Sequence, residues 1–215
     1  MEAGEGGKDD SKGTVPYGDG PEYWDLRYKA DPVPFEWLRS YADLRSLIWE
    51  ACGNKQSACV LHLGCGNSLL PEDMYDDGFQ NIINVDNSEV VIAQMMQRNM
   101  KRPNMLWVQM DAMDLSFPDE AFDLILDKSL IDTFACSEIE NIIIYLMEVS
   151  RVLRVGGVFL VISYGSPDTR LDFLKMSHLQ WEVEASDLPA TETHKAHYLY
   201  RCRKVPPVKK ASTPR

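Results

Sequence analysis

Apolar positions along the chain follow two periods. Short apolar runs at 58–63, 81–85, 105–110, 121–127 and 158–164 read as buried strands. Between them the spacing turns helical. Leu44, Leu47, Ile48 and Ala51 mark a helix over 42–51, and residues 70–77 read as a helical turn or short helix. Ser88 is placed to cap a helix from Glu89 to about Asn99, with Val90, Val91, Ala93 and Met95 or Met96 inward. Residues 138–153 predict a long amphipathic helix stopped by Gly156 and Gly157. Residues 181–185 and 197–202 read as two more strands separated by a polar loop. Strands alternating with helices imply parallel pairing with crossovers. The expected fold is therefore α/β: a Rossmann-like, doubly wound, mostly parallel sheet of seven strands with an antiparallel C-terminal edge strand.

The ends of the chain differ from this pattern. Residues 1–19 are polar and Gly-rich and are expected to form a disordered tail. Residues 204–215 read as a second, basic tail, because Pro206 and Pro207 continue neither strand nor helix. The domain expected between them, 20–203, is of ordinary single-domain size.

Composition narrows the classes of function. A net charge of −11 argues against nonspecific nucleic-acid binding and suits a cationic partner such as a Lys-bearing protein. The five cysteines are odd in number, irregularly spaced and lack a Cys-x-x-Cys pair, so neither a disulfide framework nor a metal site is expected. Reduced thiols, no apolar run of membrane-spanning length and no leader-like N-terminus make a cytoplasmic protein the expectation.

The chemistry concentrates after the first strand, in Leu63-Gly64-Cys65-Gly66-Asn67-Ser68. Glycines there let the backbone turn tightly and approach a ligand at the carboxyl end of a sheet. Asp86 follows Gly66 by twenty residues and closes the second strand, where an acid can accept hydrogen bonds from both ribose hydroxyls. A dinucleotide site usually carries a third glycine, but here that position is Leu69. S-adenosylmethionine has adenosine and an amino-acid tail but no pyrophosphate, so it fits better. Asp111 ends the third strand and suits the adenine amino group, with Asp114 as its competitor and Met110 or Met113 available to cover the ring.

These residues resemble the class I, seven-stranded methyltransferases over about residues 20–203. The nearer resemblance is to the eukaryotic elongation factor 1-alpha and citrate synthase lysine methyltransferases. Three segments carry it: Glu22-Tyr23-Trp24-Asp25-Leu26-Arg27-Tyr28, Phe35-Glu36-Trp37, and Leu126-Asp127-Lys128-Ser129-Leu130-Ile131-Asp132, where Ser129 stands in place of the family's usual Gly. The resemblance implies that Trp24, Tyr28 and Trp37 close over the methionine end of the cofactor. It also implies contacts from Gly64, from Asp86 and Asn87, from Asp111 and Ala112, and from Lys128, beside Gly66 of the glycine turn. A sulfonium is a cation, which aromatic faces attract. The Lys128 ammonium should therefore point away from the methyl, leaving its backbone at the cofactor or its side chain on a carboxylate. Asp127 and Asp132 are the candidate catalytic carboxylates, suited to positioning a cationic substrate, although Asp132 could equally cap the following helix. His62, inside the first strand, reads as a core residue, whereas His194 and His197 are expected toward the substrate side.

The function implied is S-adenosylmethionine-dependent methylation of a lysine in a protein, with elongation factor 1-alpha as candidate substrate. The protein is expected to act as a monomer, without metal, membrane or nucleic acid. A small-molecule methyltransferase and an inactive cofactor-binding scaffold are the alternatives. The short stretch before Trp181 leaves little room for the helical lid usual over a small substrate.

Overall fold

The computed structural model describes residues 20–191 and 194–207, so the expected N-terminal tail and most of the C-terminal one lie outside it. The strands are β1 (Val60–Leu63), β2 (Ile82–Asp86), β3 (Met105–Gln109), β4 (Phe122–Lys128), β5 (Leu153–Ser163), β6 (Trp181–Leu188) and β7 (His197–Lys204). They form one sheet in the order β3-β2-β1-β4-β5-β7-β6. Pairing is parallel from β3 through β5, and β7 runs antiparallel to both β5 and β6. The expected doubly wound sheet is therefore observed.

Both faces of the central strands are covered, which explains their continuous apolar runs. Successive residues point to opposite faces: Leu124, Leu126, Val158 and Leu160 enter one core, while Ile125, Phe159 and Val161 enter the other. Helices α2 (Tyr41–Ala51), α3 (Leu70–Asp76) and α4 (Glu89–Arg98) cover the first face through Leu44, Ile48, Met74, Val91 and Met95. Helices α6 (Ile139–Val152) and α7 (Pro167–Leu174) cover the second through Tyr145, Leu146, Val149 and Leu174. Ser88 caps α4, its Oγ accepting the Val91 N–H at 3.2 Å. On α4 itself Ile92 is buried, whereas Ala93 and Met96 face out, a rotation of the inward stripe from the one expected.

Three short helices were not expected: α1 (Gly20–Ala30), α5 (Leu130–Phe134) and α7. The end of α6 also differs. It stops at Val152, and β5 begins at Leu153 and runs through both glycines. The β4–β5 register shifts between Phe122 and Leu124. Gly156 takes φ +82° there, and a Cβ on Gly157 would lie 2.9 Å from the Asp123 carbonyl oxygen. The glycines thus serve an irregularity inside a strand instead of stopping a helix. Lys204, expected in the basic tail, belongs to β7, where its buried Nζ donates to the carbonyls of Ser150 (2.7 Å) and Leu153 (2.6 Å).

Candidate active site

Strand order reverses between β1 and β4, and the crevice at their carboxyl ends is where such sheets place a ligand. A cavity of about 490 Å³ opens there. The glycine turn forms its floor. Gly64 and Gly66 take φ +60° and +51°, in the left-handed region that favours glycine. Space is equally restrictive, because a Cβ on Gly66 would lie 2.7 Å from the Tyr28 hydroxyl and one on Gly64 would lie 3.0 Å from Leu130 Cβ.

Asp86 sits beside this turn because β1 and β2 pair Leu63 with Val85. Its carboxylate is 7% exposed and accepts the N–H of Gly66 at 2.9 Å and of Ser88 at 3.0 Å. Burial pushes this carboxyl up to about 6, against the pull of those two N–H groups. Each oxygen keeps lone-pair capacity for a hydroxyl donor from the cavity. Asp111 is exposed on the cavity wall, and its Oδ1 accepts the Met113 N–H at 2.9 Å. Asp114 is not among the lining residues.

An N-terminal strap roofs the cavity. Asp25 of α1 accepts the Ser88 hydroxyl at 2.6 Å, and Gln94 of α4 donates to the Tyr28 carbonyl at 3.0 Å. Asn67 donates to the Val33 carbonyl at 2.6 Å and accepts the Phe35 N–H at 3.2 Å. Glu36 gathers the Ser68 hydroxyl at 2.7 Å, the Leu69 N–H, and Lys128 Nζ at 2.6 Å. Arg39 secures the far end on the carbonyls of Leu188 (2.7 Å), Pro189 (2.6 Å) and Lys195 (3.1 Å). Trp24 and Tyr28 stack with centroids 6.1 Å apart, and the Arg27 guanidinium lies 5.3 Å from the Trp37 ring centroid.

At the end of β4 the side chains diverge. Asp127 is fully buried and turns away from the cavity. It accepts the N–H of Leu130 (2.7 Å) and Ile131 (2.9 Å) and the Tyr145 hydroxyl (2.8 Å), so it caps α5. Burial pushes it up to about 7. Asp132 likewise lies outside the lining. It binds Ser163, the Tyr164 N–H (2.9 Å) and Arg170 (2.9 Å), tying α5 to β5 and α7. Ser129 adopts φ +77°, in the left-handed region that favours glycine. Lys128 does reach a carboxylate, that of Glu36, with a second bond to the Trp37 carbonyl at 2.9 Å.

The cavity thus brings together Trp24, Tyr28, Trp37, Gly64, Gly66, Asp86, Asn87, Asp111, Ala112 and Lys128, but neither Asp127 nor Asp132. His62 is buried and lines it too. Burial, with the Lys128 charge adding, pulls its ring down to about 4, so the imidazole is neutral at neutral pH. His197 is buried at the start of β7, and His194 lies 3.5 Å from Asp43. No cluster able to hold a metal ion occurs among the described residues.

A family model described as a methyltransferase domain matches residues 61–161. EEF1A lysine methyltransferase 4 of Mus musculus is 35% identical over 175 residues, 75% of this chain and 68% of that protein. The chain belongs to the class I S-adenosylmethionine-dependent methyltransferases. The eEF1A lysine and N-terminal methyltransferase of Mus musculus is 41% identical over 148 residues, 66% of this chain. The chain spans 21% of that longer relative's length. Among solved structures, the N-methyltransferase NodS of Bradyrhizobium japonicum WM9 in complex with S-adenosyl-l-homocysteine shares the fold. Its TM-score is 0.63 at 16% identity, covering 82% of this chain and 91% of that one.

Within this methyltransferase fold, sequence reasoning missed the residues that hold the strap. Asp25 and Glu36 lie inside two of the three segments that carried the resemblance, so those segments were the available signal. Arg39 and Asn67 had none, since their partners lie 149 and 34 residues away.

Proposed function

We propose that this protein is an S-adenosylmethionine-dependent protein-lysine N-methyltransferase with elongation factor 1-alpha as candidate substrate. The observation that carries the cofactor reading is the buried Asp86 carboxylate, held against the glycine turn by the Gly66 N–H. The cavity fits adenosine better than a dinucleotide. Where a pyrophosphate would need backbone N–H groups, the Leu69 N–H is already taken by the Glu36 carboxylate. Asp86 accepts the ribose hydroxyls, Asp111 faces the adenine, and Trp24, Tyr28 and Trp37 cover the methionine end.

The bound cofactor supplies an activated methyl on a sulfonium, and the reaction moves that methyl to the lysine nitrogen in one displacement. The chain's part is to align the two reactants and exclude water, which supplies much of the rate. The lysine must arrive neutral, against a free pKa of about 10.4. An apolar, aromatic approach beside a cation favours the neutral amine without a dedicated base. Asp127 and Asp132, both occupied elsewhere, act as positioning residues for the β4–α5 loop.

The lysine assignment draws on the named activities of the relatives. It is supported by the 163–181 segment, which holds just the eight-residue α7 and so leaves the substrate side open. The protein works as a cytoplasmic monomer on a protein partner, without nucleic acid or membrane. No helix among the described residues is long and apolar enough to cross a membrane. The test is incubation with methyl-labelled S-adenosylmethionine and purified elongation factor 1-alpha, alongside whole-cell extract. Label on lysine in the purified factor is expected. Label confined to small molecules, or cofactor binding with no label anywhere, overturns the proposal.

A further inference from the structure

Lys128, buried on the cavity wall, is ion-paired to the half-buried Glu36 behind it, with side chains 3% and 21% exposed. Its position relative to the cofactor follows from the sheet. Asp86 ends β2, and Asp111 follows β3, on one side of the glycine turn. Lys128 ends β4 on the other side and bonds Trp37. Adenosine therefore takes the β2–β3 side, and the methionine end lies toward Lys128.

That arrangement places a lysine ammonium where a second cation, the sulfonium, must be accommodated. Trp37 cannot resolve the conflict alone, because the Arg27 guanidinium already lies over its ring. Of the carboxylates on or beside the strand ends, Asp86 holds the turn, Asp127 caps α5 and Asp132 binds Arg170. Glu36 is the acid that meets Lys128, at 2.6 Å.

We propose that Glu36 is the counter-charge of the site: by cancelling the Lys128 ammonium it sets the preference for the positively charged methyl donor over its neutral thioether product. The inference rests on the cofactor reading above. Glu36 acts through Lys128 and is a positioning residue. A purely structural clip would affect both ligands alike. A counter-charge affects the one that carries the sulfonium.

The experiment is calorimetric titration of the wild type, Glu36→Gln, Lys128→Met and the double variant with S-adenosylmethionine and with S-adenosylhomocysteine. Glu36→Gln should lower the donor-to-product affinity ratio on the order of tenfold, the scale of one uncompensated charge in a partly buried site. Lys128→Met leaves the Glu36 carboxylate unopposed and should raise the ratio by a similar factor. The double variant should return it toward the wild-type value. If Glu36→Gln fails to fold, the opposite-signed shift in Lys128→Met still decides the matter. An unmoved ratio in Lys128→Met, or equal weakening of both ligands in Glu36→Gln, overturns the counter-charge and leaves the cofactor reading standing. A folded wild type that binds neither ligand overturns that reading instead.

Discussion

Asp86→Asn should change ligand affinity and stability in opposite directions. In the wild type each carboxylate oxygen accepts one backbone N–H and retains capacity for a ribose hydroxyl. The amide is neutral and keeps a single acceptor oxygen, so both hydroxyls lose a charged partner and at least one loses its acceptor. A hydrogen bond to a charged group contributes about 1.5–3 kcal/mol, which corresponds to a loss of affinity of roughly 10- to 100-fold. Stability runs the other way. Burial raises Asp86 from 3.8 to about 6. The folded state then holds this proton more tightly than the unfolded chain, so stability falls as pH rises from 3.8 through 6 and stays lower above it. A rise of that size corresponds to about 3 kcal/mol at most. The amide removes that penalty while giving up one backbone hydrogen bond of about 1 kcal/mol. Calorimetry with S-adenosylhomocysteine at neutral pH, paired with urea denaturation between pH 4 and 8, measures both quantities. Wild-type affinity should weaken below about pH 6 as the acceptor is protonated, and the stability loss across that window should flatten in the variant. Wild-type affinity in Asp86→Asn, or its destabilisation by several kcal/mol at neutral pH, would refute the reasoning.

Other expectations follow from the same geometry. Asp127→Ala strands two helix N–H groups and a buried tyrosine hydroxyl, so urea denaturation should show a loss of about 3–5 kcal/mol; a stable, merely inactive variant would restore Asp127 as a catalytic candidate. Gly66→Ala forces a Cβ to within 2.7 Å of the Tyr28 hydroxyl at φ +51°, so cofactor affinity should fall at least tenfold while the far-UV circular dichroism is kept. Arg39→Ala frees three carbonyls at the end of β6 and in the β6–β7 connection and should loosen the strap by about 2 kcal/mol, read as faster proteolytic cleavage near residues 31–40 that added cofactor slows.

Much of this molecule was legible in its amino-acid order. Apolar runs such as Val60-Leu61 and Leu124-Ile125-Leu126 are signs of strands covered on both faces, which requires helices on each side and hence the doubly wound sheet. Gly64 and Gly66 followed by Asp86 pointed to the end of the sheet where the cavity opens, because a tight turn and a strand-terminal acid are local features with a known mutual distance. The helix α1 has no clear signature in the sequence because Tyr28 is its one buried residue, so it carries no apolar stripe. The five-residue α5 is too short to show a period, and it depends on the Asp127 carboxylate for its first N–H groups.

Only the tertiary structure decided how the charges are shared. Lys128 meets Glu36 across 92 residues, and Arg39 meets Leu188 across 149. Nothing in periodicity or spacing encodes such pairings, because hydrophobic patterning reports which face of an element is covered and not which polar groups meet once elements pack. Asp127 shows the same limit: its motif placed it at the site, and its side chain, drawn toward the nearest unsatisfied helix N–H groups, turned away from the cavity.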